Sequence, residues 1–220
     1  MSDDLNLSLW FPSFNEAEMM PRTLSVLRQF PFSQARPGIT AAAAYPFSWS
    51  EAPVYSHSFD FPVQPERAIA FVTEFLHDDY AYEFEALWDL WVPREAGGTP
   101  LTSELLTGER REQRERARPA ESEWLLQPTA VKIVANGTAF EDGDYQENGH
   151  ILLKLGLDEP FLVEDEEFDD AEMRVRANVQ KLVRFTSAVE KNCGISGRVL
   201  WSESEENLAQ KLVMRLQRVQ

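Results

Sequence analysis

The chain has one cysteine, three histidines and ten glycines in 220 residues, and each shortage removes a class of explanation. A single thiol, Cys193, cannot close an internal disulfide and fits a reducing compartment. Its neighbours Asn192 and Gly194 suggest a helix end, nothing cationic stands close in sequence to activate it, and it reads as structural. Three isolated histidines (His57, His77 and His150) with one cysteine give no zinc spacing. There is no Walker A loop, no G-x-G-x-x-G, no G-x-S-x-G and no H-E-x-x-H. No run approaches the ~18 apolar residues of a membrane span. The start, MSDDLNLSLWF, carries Asp3 and Asp4 where an export signal would carry Lys or Arg. The expectation is a cytoplasmic chain with no cofactor and no bound metal.

Positive charge is also short. Lys and Arg number 21 against 37 Asp and Glu, for a net charge of −16. Nucleic acid and anionic membrane both require a cationic surface, so neither is an expected partner. The balance favours solubility, or attraction to a basic protein.

What is present is an ordinary globular composition, 43% apolar and 26% charged, in a chain long enough for one sizeable core or two small ones. Leu5, Leu7, Leu9 and Phe11 alternate with Asn6, Ser8 and Trp10, which predicts a strand. Ser13 and Glu16 have capping-box spacing before a helix bearing Ala17, Met20, Leu24 and Leu27, with Pro21 as a kink or a delayed start. Strands over Ile39–Tyr45 and Val54–Phe61 follow, then a helix from Pro65 with Ile69, Val72, Phe75 and Leu76 on one stripe, then a strand over Tyr82–Val92. This order is βαββαβ, and the expected fold is α+β with a ferredoxin-like unit over 1–93. Strands one and three would then be central and one sheet face open.

Residues 94–121 read as a charged connector. Within it ERREQRERAR, 109–118, has five Arg and three Glu, the only locally positive run at +2, which leaves −18 on the rest. It suits an exposed mixed-charge helix or disorder. A smaller unit over 122–220 is expected, a β-meander followed by α-β-α. It contains a strand from Thr129 ending at the hairpin signal Asn136-Gly137, with Thr138–Phe140 returning, and a strand over His150–Leu157. A long helix stopped by Gly194, a strand to Trp201 and a last helix behind Ser202 and Glu205 complete it.

Three places invite chemistry. FLVEDEEFDDAEMRVR puts seven carboxylates between Glu164 and Glu172. Glu164, Asp165, Glu166, Glu167, Asp169 and Asp170 form a candidate acidic surface for a partner, although an acidic first helical turn is also what the macrodipole favours. EDGDYQENGHILL nearly follows a calcium-loop register from Asp144, but Leu155 stands where the bidentate Glu belongs, so a polar turn is expected. On the open face of a ferredoxin-like sheet, Ser8, Thr40, Ala42, Ala44, Ser56 and Ser58 would be flanked by Trp10, Asp60, Glu83, Glu85, Asp89 and Trp91. Those last six are the candidate interaction or ligand surface. Acids rather than bases around the aromatics disfavour RNA. Catalytic residues are not assignable. The first expectation is a non-catalytic module binding a protein, including the case of a basic partner it neutralises, or associating with itself. The alternative is a small-ligand binder or enzyme with a carboxylate/Trp pocket on that face.

Overall fold

The computed structural model describes residues 4–93, 124–162 and 169–202, with Asp169 and Asp170 described by backbone alone. Seven strands are present among these residues: β1 (Asp4–Trp10), β2 (Ile39–Pro46), β3 (Tyr55–Val63), β4 (Tyr80–Pro93), β5 (Trp124–Asn136), β6 (Ile151–Leu157) and β7 (Gly197–Trp201). The α-helices are α1 (Glu16–Leu27), α2 (Pro65–Thr73), α3 (Tyr145–Asn148), α4 (Glu159–Leu162) and α5 (Asp169–Asn192). Mixed α/β content is as expected. The strands form one open sheet in the order β3-β2-β4-β5-β6-β1-β7, and every neighbouring pair is antiparallel.

The order differs from the ferredoxin-like expectation. That arrangement would seat β1 between β3 and β4, but β1 pairs instead with β6 and β7, with Leu7 opposite Leu153 on one side and Leu200 on the other. Both stretches flanking 94–123 therefore contribute to one sheet. The reason lies in burial: Leu5, Leu7 and Leu9 are wholly buried on one face, while Asn6 and Ser8 are buried on the other. A strand closed on both faces belongs inside a sheet. Ser8 is satisfied there by Trp201, whose indole N–H donates to its hydroxyl at 3.0 Å.

One face carries the main core. Ala42, Ala44, Tyr82, Phe84, Ala86, Trp88, Leu90, Ile133, Ala135, Ile151 and Leu153 meet the buried stripes of α1, α2 and α5 there. Asn15, not Ser13, caps α1, its side chain accepting from the Glu18 N–H. Pro21 lies inside the helix rather than at its start. Gly194, at φ +64°, follows the end of α5 as expected. On the other face Ala81, Val134, Phe140 and Leu152 form a smaller cluster roofed by Tyr45, Trp49 and Trp201.

β4 and β5 outrun their neighbours as a two-stranded ribbon, and its two edges are treated differently. β2 stops pairing with β4 at Ala86. Beyond it, Leu87 O accepts the Ser33 N–H at 2.6 Å and Asp89 O accepts Lys181 Nζ at 2.8 Å. The Asn178 amide then takes both the Trp91 N–H (2.9 Å) and the Trp91 C=O (2.7 Å). A side chain here stands in for a strand and closes the edge against foreign pairing. On the β5 side, pairing with β6 covers Lys132–Ala135 only. The Asn136 N–H reaches His150 O, so by strand alternation the even-numbered residues of β5 turn their backbone groups toward β6. Pro128 has no N–H to offer and falls on that outward phase, the place in a ladder where a proline costs least.

Candidate functional site

The six residues expected on the open face do not converge. Glu83 and Glu85 do face away from the main core, beside Ala43 and Ala41 of β2. Trp10 lies three strands from β4, about 14 Å at ordinary strand spacing, and its indole donates to Tyr145 O at 3.0 Å. Asp60 is exposed on the edge strand β3. Asp89 and Trp91 belong to the ribbon; the Trp91 ring lies 5.2 Å from the Arg174 guanidinium of α5. Ala42 and Ala44 are in the main core, one residue out of the expected phase, with Ala41 and Ala43 on the open side. Phe61 is 83% exposed, in the part of β3 spanned by the register shift between Ile39 and Ala41. His57 is likewise exposed, touching Phe59 only by an edge contact at 5.0 Å.

Glu83, Glu85 and Asp89 already have partners. Glu83 pairs with Lys132 at 3.0 Å, and that hydrogen bond holds the lysine above its ordinary range. Glu85 accepts from Thr40 at 2.8 Å. Burial alone would raise the Asp89 carboxyl, but hydrogen bonds from Ser33 and the Gln34 N–H, with Lys181 nearby, outweigh it and hold the group below the usual carboxylate range. None of these is arranged as a general acid beside a general base. Of the acidic strip, Glu164, Asp165, Glu166 and Glu167 lie outside the described residues, and Asp169 and Asp170 open α5 with their side chains undescribed. The segments 109–118 and 203–220 lie outside as well.

A different locus is more organised. β2 ends at Pro46, and Phe47 follows with φ +58°, a left-handed conformation that a bulky side chain rarely adopts. Two backbone bonds pin it: its N–H donates to Asp79 O at 2.9 Å, and its C=O accepts the Glu141 N–H at 3.0 Å. The reversal sends Trp49 inward against Tyr45 and Phe140, at centroid distances of 5.0 and 5.2 Å. It also leaves the Phe47 ring 60% exposed, edge-on to Tyr80 at 6.0 Å. Glu141 and Asp142 are also left-handed, at φ +45° and +55°, and the Glu141 carboxylate accepts the Trp49 N–H at 3.0 Å. These three are the only non-glycine residues with positive φ among the described residues.

The turn before β4 joins the same rim. The Ala139 N–H donates to Asp78 O, and Gly137 packs so closely that a Cβ there would lie 2.2 Å from that oxygen. Asn136-Gly137 therefore marks a close approach to the β4 turn; the chain does not return at Thr138–Phe140, but runs through a 3-10 turn and α3 before β6. The calcium-like loop falls in that excursion, and Asp144 is engaged by the Asn148 amide at 2.7 Å. His77 faces Asp78 at 3.3 Å and Asp79 at 2.5 Å. The result is an aromatic row, Phe47–Tyr80–His77, bordered by Asp78, Asp79 and Glu141. The signal for it was an aromatic placed in a proline-bracketed turn, in PFSWSEAP, and it passed as loop.

His150, just before β6, is buried. It lies between the Tyr145 and Phe14 rings, both stacked at 4.7 Å. Its Nδ1 accepts the Phe11 N–H at 3.0 Å, and burial lowers its pKa. It joins β1 to β6.

No helix of the described residues is long and apolar enough to cross a membrane. Compared with protein-family models, curated proteins and solved structures, the chain finds no match.

Proposed function

We propose that the chain is a non-catalytic protein-interaction module that presents the acidic-aromatic rim around Phe47 to a basic partner. One observation carries this reading: a ring that is 60% exposed is held by a left-handed backbone pinned to Asp79 and Glu141. Such a conformation costs on the order of 1–3 kcal/mol and is found where function over-determines it. A rigid, partly exposed aromatic is the residue type that anchors interfaces, because little side-chain freedom remains to be lost on binding. The net charge of −16 adds steering toward a cationic surface, an effect that salt screens. A cytoplasmic setting belongs to the same reading and is supported by the single buried free thiol. The alternative of a carboxylate/Trp pocket on the open face has less support, because its residues stand on separated strands with partners of their own.

The test is Phe47→Gly. Glycine accepts positive φ without strain, so the variant is expected to match or exceed the parent in stability, by up to ~1 kcal/mol, while losing the anchor. Affinity capture from lysate with parent and variant, repeated across a salt series, reads the other half. A protein retained by the parent, released by salt and not retained by the variant supports the proposal. Identical retained sets, or retention indifferent to salt, sink it. Light scattering on both proteins shows whether the retained protein is a second copy.

A further inference from the structure

Where β5 parts from β6, beyond the Lys132–Lys154 pair, the sheet opens into a wedge. Its cavity is about 400 Å³ and is lined by Leu90, Val92, Pro93, Gln127, Thr129, Leu155, Leu157, Glu159 and Pro160. That volume lies within the range of small-molecule sites, and the rim around Phe47 contributes nothing to it. The ladder orders the walls. Thr129 faces Trp88, and Leu90 faces Gln127, so Thr129 and Leu155 are near the closed apex while Val92, Pro93, Leu157 and Glu159 are toward the mouth.

Three features define what would fit. The middle is apolar, from Leu90, Val92, Leu155 and Leu157. At the apex the Thr129 hydroxyl is buried with no hydrogen-bond partner. Native structures seldom leave such a group unpaired, and each case asks for an explanation. The hydroxyl can donate, so one oxygen acceptor placed at the apex answers it. At the mouth stands the exposed carboxylate of Glu159, which repels an anion.

From this arrangement we propose that the wedge between β5 and β6 binds a small uncharged amphiphile, a medium-chain alcohol or amide, with its oxygen at Thr129 and its chain along Leu90 and Leu155. The site is independent of the rim around Phe47, so either reading can fail without the other. The probes are 1-hexanol, hexanamide and sodium hexanoate, titrated into the full chain and followed by ligand-observed NMR and by the melting temperature. Saturable binding of the alcohol and the amide is expected, with hexanoate at least about tenfold weaker because its charge meets Glu159 and a poorly solvated apex. Thr129→Val keeps the side-chain shape and removes the hydroxyl. Its melting temperature without ligand should equal or exceed the parent's, and its affinity for hexanamide should fall about three- to tenfold, the worth of one hydrogen bond. Leu157→Trp, at a half-exposed position of the mouth, should weaken all three without unfolding the chain. Absence of saturable binding, equal binding of hexanoate, or a Thr129→Val variant that binds hexanamide as the parent does would each overturn the proposal.

Discussion

Replacing Asn178 with leucine is expected to lower the unfolding free energy by about 3–4 kcal/mol, although the two side chains are close in volume. Asn178 is 2% exposed and its amide makes three bonds: from the Trp91 N–H, to the Trp91 C=O, and to Pro160 O at 2.9 Å. Leucine would fill the space and leave those backbone groups unpaired in a region with little access to water. Unpaired buried groups carry the cost, at roughly 1–3 kcal/mol each, partly recovered by relaxation. Asn178→Asp separates the roles, since it can still accept from the Trp91 N–H but sets a second acceptor against two carbonyl oxygens. It should be no better than leucine at neutral pH and should recover partly in acid, once the carboxyl is protonated. Urea denaturation measures all of this. Met173→Ala, at a 64% exposed position of the same helix, is the control and should stay within about 0.5 kcal/mol of the parent. If Asn178→Leu does the same, the edge is not held by this amide.

The second large effect belongs to His150. Because its Nδ1 must accept from the Phe11 N–H, only the neutral imidazole fits the site. Its folded pKa is lowered by burial, while in the unfolded chain it takes a proton near 6.5. Unfolding therefore takes up a proton as pH falls. The contribution of His150 is fully present above about pH 6.5 and is lost as pH drops below that, through the depressed folded value. His150→Phe keeps an aromatic between Tyr145 and Phe14 but leaves the Phe11 N–H unpaired. A loss of about 1–3 kcal/mol at pH 7.5 is expected. The gap between parent and variant should narrow below pH 6.5, and a gap that is constant from pH 7.5 to 5 would rule out the neutral-imidazole account. The exposed His57 and His77 are common to both proteins and cancel in the comparison.

The strands and helices were largely legible, and their pairing was not. Alternation in Leu5–Phe11 reports which side chains share a face, but it contains nothing about which strands lie alongside. The informative detail was that Asn6 and Ser8 are small and polar enough to be buried with partners, so that this strand is covered on both faces. In Thr40–Ala44 the phase was unreadable because four consecutive alanines give no contrast between faces. β5 was expected from Thr129 and begins at Trp124; Pro128 lies within it on the phase that faces no partner strand, where the missing N–H costs least. The rim around Phe47 was invisible for another reason. Positive φ at a phenylalanine follows from hydrogen bonds to Asp79 and Glu141, which are distant in sequence, and no local propensity announces it.

The position of β1 also dictates a timetable for synthesis. Its partners, Ile151–Leu157 and Gly197–Trp201, are translated last among the described strands. At ~5–20 residues per second, the first strand waits about 10–40 s before both neighbours exist. During that interval Leu-Asn-Leu-Ser-Leu-Trp-Phe is an uncharged, proline-free, apolar segment of the kind that recruits copies of itself. The residues on either side, Asp3 and Asp4 before it and Pro12 after it, are the sort that interrupt such stacking. Flanking charge and proline of this kind keep such a segment from stacking on its own copies until the sheet can close around β1.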